Sequence, residues 1–244
     1  MRGAEAVVFL HAFEANAWRA VLDDTVTLVQ HSPLRACGVR VLHSMPPERW
    51  PYAGVDGVFE PMTPSARGRE LAQTELHTLA ALHDYCGAHP HALVAYVHGK
   101  GSRGAPTEDA TRFLRQWDWR RLHLYFMLEA PQGCLAALTS GEYDACGVNK
   151  RARPRLHYSG NFWWARCDFI RRLPNPFDFA VGSSWDVHFA PENWIGGGID
   201  ARRMFNCFDS DHINHYKHEY SRSNYVGARC DADVQESWLQ QLPI

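Results

Sequence analysis

A chain of 244 residues that is 45% hydrophobic and 21% charged has the composition of an ordinary globular protein with a sizeable core. A net charge of −2 argues against a general nucleic-acid binder, which needs a basic excess to neutralise phosphates. No apolar run reaches the length that crosses a bilayer, and seven cysteines, scattered singly and odd in number, do not suggest a disulfide framework. The start, MRGAEAVVFLHAF, is too quickly polar for a signal peptide, so a reduced, cytoplasmic protein is expected. With no CxxC pair, a zinc site built on thiolates is not expected either.

The first half alternates strand and helix signals. AVVFLHAF (6–13) is an apolar run suited to a buried strand. Asn16 can cap a helix with Trp18, Val21, Leu22, Thr25, Leu28 and Val29 on one face, stopped by Pro33. GVRVLHSM (38–45) reads as a second strand. Thr63-Pro64 opens a helix that carries Leu71, Leu76, Leu79 and Leu82. HALVAYVHGKG (91–101) is a third strand running into a glycine-flanked turn. Further on, a helix spans roughly 108–129, with Leu114, Trp117, Leu124 and Leu128 as its inward side, and a shorter helix lies around 135–138. GEYDACGVN holds a strand, HYSGNFWWARCDFI (157–170) another, and a helix follows around 168–172.

Strands separated by helices imply an α/β fold with a mostly parallel sheet and helices on both faces. Ligands of such sheets sit beyond the carboxyl ends of the strands. That position alone selects His11, Phe13 and Glu14, then His43 and Ser44, then His98 to Gly101. No linker composition marks a boundary near residue 150, so one domain is expected: a nucleotide-type half to about 150 and an acceptor-type half from about 151 to 244.

Four stretches carry chemistry. In YVHGKGSRG (96–104), His98 and Lys100 alternate beside glycines that let backbone approach a ligand, and a lysine with exposed N–H groups suits phosphate oxygens. A solvated turn would carry the same residues. WDWRRLHLYF (117–126) sets Asp118, Arg120 and Arg121 among aromatics, either as a structural pair or as a diphosphate contact. ENWIGG (192–197) isolates Glu192 in a loop, the form a general base takes and also that of a plain surface glutamate. DHINHYKHEY (211–220) spaces His212, His215 and His218 by three, which on a helix would share one face and suit a divalent metal. A polar face near the C-terminus would look the same. No GxSxG, HExxH or GxGxxG motif stands out, nor an acidic D-x-D behind a strand.

Taken together, VVFLHAF, SPL (32–34), YVHGKG, DWR (118–120), DACGVN (144–149), HYSGNFWWA (157–165) and ENWI (192–195) resemble a largely uncharacterised family of GT-A-type glycosyltransferases. The likeness spans about 6–220. GNFWWAR (160–166) is also distantly similar to rhamnan-synthesis protein F. The resemblance implies a GT-A-like, Rossmann-like fold and a nucleotide-sugar donor, linked to UDP, GDP or dTDP, with a carbohydrate acceptor. It implies an inverting mechanism with Glu192 as base and Asp186 as fallback. Donor and diphosphate contacts would come from His11, Phe13, His98, Lys100, Gly101, Arg103, Arg120, Asp144 and His215. His157, Tyr158, Ser159, Gly160, Asn161, Trp163 and Trp194 would shape the acceptor and sugar site. Mn2+ or Mg2+ dependence is left open by the unseen D-x-D. The open alternatives are a catalytically silent carbohydrate- or nucleotide-binding module and a metal-dependent hydrolase.

Overall fold

Each apolar run of the first half forms a strand, and each amphipathic stretch between them packs as a helix. The computed structural model describes residues 5–12, 16–36, 40–43, 52, 75–102, 109–182 and 189–230. In chain order these give β1 (Ala6–His11), α1 (Trp18–His31), α2 (Pro33–Ala36), β2 (Arg40–His43), α3 (Leu76–Ala88), β3 (Leu93–His98) and α4 (Ala110–Leu124). A π-helical turn (Tyr125–Glu129) extends α4, followed by α5 (Gln132–Thr139), β4 (Ala145–Val148), β5 (Lys150–Arg151), β6 (His157–Tyr158) and β7 (Trp163–Arg166). Then come α6 (Cys167–Ile170), α7 (Pro176–Gly182), α8 (Ala190–Trp194) and β8 (Met204–Phe208). The expected helix start at Thr63-Pro64 lies outside the described residues.

Six strands form one sheet in the order β2-β1-β3-β7-β4-β8. The β1–β2, β1–β3 and β4–β8 pairs are parallel, while β7 runs antiparallel to both β3 and β4. The expected α/β fold with a mostly parallel central sheet is therefore present. Strands from both halves of the chain share that sheet.

Side chains alternate along each strand, so each face buries its own cluster. Val8, Leu10, Ala95, Val97, Cys146 and Trp164 pack on one face with residues of α1, α4 and α5. Val7, Phe9, Val94, Tyr96, Ala145 and Trp163 pack on the other with residues of α3, α6 and α8. The adjacent tryptophans are thus both fully buried, one per layer. Each indole N–H finds an acceptor: Trp163 donates to Asn161 Oδ1 at 2.9 Å and Trp164 to the Met127 carbonyl at 2.9 Å.

Local departures have local causes. Asn16 does not cap α1, whose N-cap position is Ala17 with no side-chain bond. Leu114 is 53% exposed, because α4 turns Trp119, Arg120, Leu122 and His123 inward instead. Six of the seven cysteines pair as Cys86–Cys167, Cys134–Cys146 and Cys207–Cys230, which corrects the expectation of scattered, unpaired thiols. Partners up to 81 residues apart meet only once helices fold onto the sheet, so their spacing carries no signature. The inference of a reduced, cytoplasmic chain loses that support. Among the described residues no helix is long and apolar enough to cross a membrane.

Candidate functional site

From β1 the chain crosses to β2 on one side, then returns through α3 to β3 on the other. Strand order reverses there, the switch point at which sheets of this kind form their ligand crevice, beyond the carboxyl ends of β1 and β3. The Gly99 N–H donates to the His11 carbonyl at 3.0 Å and ties the two strand ends together. A small pocket beside it is lined by Leu10, His11, Trp18, Leu22, Gly99 and Ser102. Because β7 is antiparallel, the turn that precedes it, 159–161, lies at the same edge. So do Asn149 after β4 and Asp209 and Ser210 after β8.

The 159–161 turn is clamped from several directions. Gly160 and Asn161 take φ values of +101° and +61°, a conformation that glycine and asparagine tolerate best. Ser159 N–H donates to the Asn149 carbonyl at 3.0 Å, and His98 Nε2 donates to the Gly160 carbonyl at 2.8 Å. Asn161 Nδ2 donates to Glu75 Oε2 at 2.7 Å, while Tyr96 donates its hydroxyl to the same oxygen at 2.9 Å. Glu75 Oε1 sits 3.5 Å from His98 Nδ1. Burial disfavours the Glu75 charge, but His98, His11, Tyr96 and Asn161 together hold its pKa below the ordinary carboxylate value. His98 itself is pushed down by burial, partly offset by Glu75; Glu192 also acts on its charge. His11 Nδ1 meets Thr78 Oγ1 at 2.8 Å.

A second set gathers on the α4 side. Lys100 Nζ lies 3.9 Å from the centroid of the Trp119 ring, on which His215 stacks at 5.3 Å and 11°. His123 is fully buried, stacks on Phe162 at 4.9 Å, and has no hydrogen-bond partner for either ring nitrogen among the described residues. His215 Nδ1 and Trp119 Nε1 are likewise buried without a partner there. Burial pushes the His123 pKa well below the ordinary imidazole value, with Lys100, His215, His98 and Arg151 acting in the same direction. His215 is pushed down to about 4 by burial, then by Arg151 and Lys100. Both rings are neutral at pH 7. Each then carries one N–H donor and one acceptor nitrogen. Gly101, at φ +89°, turns the chain beside Gln116.

Not every expected site residue reaches this edge. Asp144 precedes β4 at the opposite edge of the sheet, chelated by Arg203 through two 2.6 Å contacts, so a diphosphate role there is corrected. A four-residue strand separates the two edges, roughly 13 Å at 3.3 Å per residue. Trp163, Trp194 and Tyr158 are fully buried, with their polar atoms bonded to Asn161, the Pro174 carbonyl and the Phe205 carbonyl. Their faces pack in the core rather than against a sugar. Arg120 is fully buried; it pairs with Asp24 at 2.6 Å and approaches the Lys100 carbonyl at 3.4 Å. It holds the turn that carries Lys100. His157 is half-buried and bonds the Arg155 carbonyl at 2.7 Å. Glu192 stands half-buried in α8. Phe13, Glu14, Ser44, Arg103 and Asp186 lie outside the described residues.

The histidines of 211–220 do not share a helix face, since the segment is a series of turns. His215 is buried, while His212 and His218 are exposed. The residues passed over in sequence are Glu75, His123, Asn149, Asp209 and Ser210. Asp209-Ser210-Asp211, directly after β8, does spell a D-x-D. Asp209 is held by Arg151 at 2.6 and 3.1 Å, and Ser210 Oγ lies 3.1 Å from Asn149 Oδ1 and 2.8 Å from His215 Nε2. Of that triplet, Ser210 holds His215 and Asp209 holds Arg151.

The profile of a family described as "Domain of unknown function (DUF8361)" matches residues 59–225, more than half of the chain, which therefore belongs to that family. No curated protein matches the chain.

Proposed function

We propose that this member of the DUF8361 family is a GT-A-like glycosyltransferase that moves a sugar from a nucleotide-sugar donor to a glycan or glycolipid acceptor, with inversion. One observation carries the reading: buried nitrogens of Trp119, His123 and His215 without partners among the described residues, beside the Lys100 ammonium, at the carboxyl edge of the sheet. Such a set calls for an acceptor-rich ligand, and the departing diphosphate of a nucleotide sugar supplies those oxygens. Fixed donors aimed at that group stabilise it as it leaves.

Glu192 is the proposed base, with Asp186 the fallback. A carboxylate there takes the proton of the acceptor hydroxyl as that oxygen attacks the anomeric carbon and the diphosphate departs. The 159–161 turn, presenting backbone rather than bulk, forms the wall against which the acceptor lies. UDP, GDP and dTDP donors all fit this scheme, and the transfer would serve polysaccharide assembly.

The deciding assay incubates the chain with UDP-, GDP- and dTDP-sugars, with and without Mn2+, and follows release of nucleoside diphosphate with glycan acceptors. Turnover that disappears in Glu192→Gln while donor binding persists is the expected result. A specific observation favours the silent binding module: His98 is held by the Gly160 carbonyl and Arg120 by Asp24, so both are engaged by their own chain. Binding without turnover for every donor would select that reading.

A further inference from the structure

Four cysteines from four separate segments meet on one face of the sheet. Cys134 lies in α5, Cys146 in β4, Cys207 in β8, and Cys230 in the segment after β8. Their four sulfurs all lie within 4.8 Å of one another. Two disulfides, Cys134–Cys146 and Cys207–Cys230, are therefore in direct contact rather than merely in the same layer. The third, Cys86–Cys167, lies on the opposite face with α3 and α6.

We infer that, once reduced, Cys134, Cys146, Cys207 and Cys230 form a tetrathiolate site for Zn2+. Tetrahedral zinc with Zn–S bonds of about 2.3 Å places its sulfurs about 3.8 Å apart. Bonded partners must separate and unbonded ones close in by about an ångström, within the reach of a cysteine side chain turning about its own Cα–Cβ bond. Cys134, Cys146 and Cys207 are fully buried and Cys230 is half-buried, which suits a closed structural site with no open coordination position.

The surroundings are shaped for this approach. A Cβ at Gly133 would lie 2.2 Å from the Cβ of Cys230, so only glycine lets that segment come close enough. Cys134 occupies the first turn of α5, where unpaired backbone N–H groups favour a thiolate. Both forms clasp the 208–229 segment, which carries His215. The chemistry balances: a phosphine reductant takes one oxygen from water per disulfide, each disulfide gains two electrons and two protons as two thiols, and Zn2+ displaces those protons.

The test uses the full chain, reduced with a water-soluble phosphine under argon, given Zn2+ and desalted, with bound zinc measured by atomic emission and redox state by intact mass. About one zinc per chain is expected, and Co2+ in its place should give the visible bands of tetrahedral thiolate coordination. Cys146→Ser should lose the metal, as should Cys230→Ser, whose site is less buried and more tolerant of change. Cys86→Ser should keep it. Free thiols with less than about a tenth of an equivalent of zinc would overturn the inference. Zinc retained equally by both Ser variants of the cluster, or disulfides that survive the reductant in the folded chain, would do the same. None of these readouts depends on sugar transfer.

Discussion

His98 Nε2 donates to the Gly160 carbonyl at 2.8 Å, joining the end of β3 to the turn that opens β7. Those strands are antiparallel neighbours whose pairing runs only from Leu93↔Arg166 to Tyr96↔Trp163. Beyond the last pair the ladder has no backbone bond to give, and the imidazole continues the connection. His98 is thereby committed to the turn, with Glu75 on its other nitrogen, and Lys100 is left as the basic group facing Trp119.

Gly160 should be intolerant of substitution. A Cβ there would lie 2.5 Å from His123 Nε2, at a φ of +101°. Gly160→Ala is expected to cost about 2–4 kcal/mol, combining backbone strain with overpacking. Urea unfolding measures it. Adding His123→Ala should restore the overpacking share but not the strain, so partial recovery in the double variant is the diagnostic result. Wild-type stability in Gly160→Ala would contradict the clamped turn.

Trp163 separates a packing role from a ligand platform. Its ring is fully buried between Tyr96, at 5.5 Å, and Trp194, at 6.2 Å. Trp163→Ala should lose about 3–5 kcal/mol of stability. Trp163→Phe, which keeps most of the volume but leaves Asn161 Oδ1 without its donor, should lose about 1–2 kcal/mol. A sugar-stacking role would instead lower acceptor affinity in Trp163→Phe with the unfolding midpoint unchanged.

Much of the sheet was legible because buried parallel strands must be continuous apolar runs, and 6–13 and 91–101 are such runs. The exit residues His11, His98 and Lys100 followed from that rule alone. What stayed hidden depends on contacts across the chain. Glu75 acquires meaning only through His98 and Asn161, and His123 only because α4 turns a charged and polar side inward. Asp144 was misplaced because the same pattern around a short strand does not say which end faces the crevice. The cysteine pairs were invisible for a related reason: their separations of 81, 12 and 23 residues follow the packing of layers, not a spacing motif.

Lys100 and Arg120 should fail in different ways. Lys100→Met removes an ammonium that lies on Trp119 at the crevice, so nucleoside diphosphate binding should weaken about tenfold to a hundredfold, the loss of one or two hydrogen bonds to a charged group. Its unfolding midpoint should hardly move. Arg120→Met removes the buried one of the two guanidinium partners of Asp24 and leaves Arg121 on its other oxygen. Losing one charge-assisted hydrogen bond while Arg121 still neutralises the carboxylate costs about 1.5–3 kcal/mol, so this variant should be chiefly unstable. Calorimetric titration beside thermal unfolding distinguishes the two, and equal losses of affinity at equal stability would refute the division.

Stability should fall as the pH drops below the ordinary imidazole range, and His215 is the group that makes this testable. Its folded pKa is pushed down to about 4 by burial, with Arg151 and Lys100 adding and Asp209 opposing. An unfolded imidazole takes up its proton near 6.5, so between about 6.5 and 4 the unfolded chain binds more protons than the fold. Stability is complete above that window and lost through it as pH falls. The shift is worth about 2 kcal/mol once screening at the solvated sheet edge is allowed for. His123 shifts in the same direction and steepens the fall. Glu75, whose pKa is lowered from the carboxylate value, adds its own loss only at more acidic pH, which keeps the imidazole window distinct. Urea unfolding at pH 7, 5.5 and 4.5 should therefore show His215→Gln less stable than wild type at neutral pH, where the bond to Ser210 is altered, but with a shallower decline. Parallel declines in the two proteins would mean that His215 is not what the acid titrates.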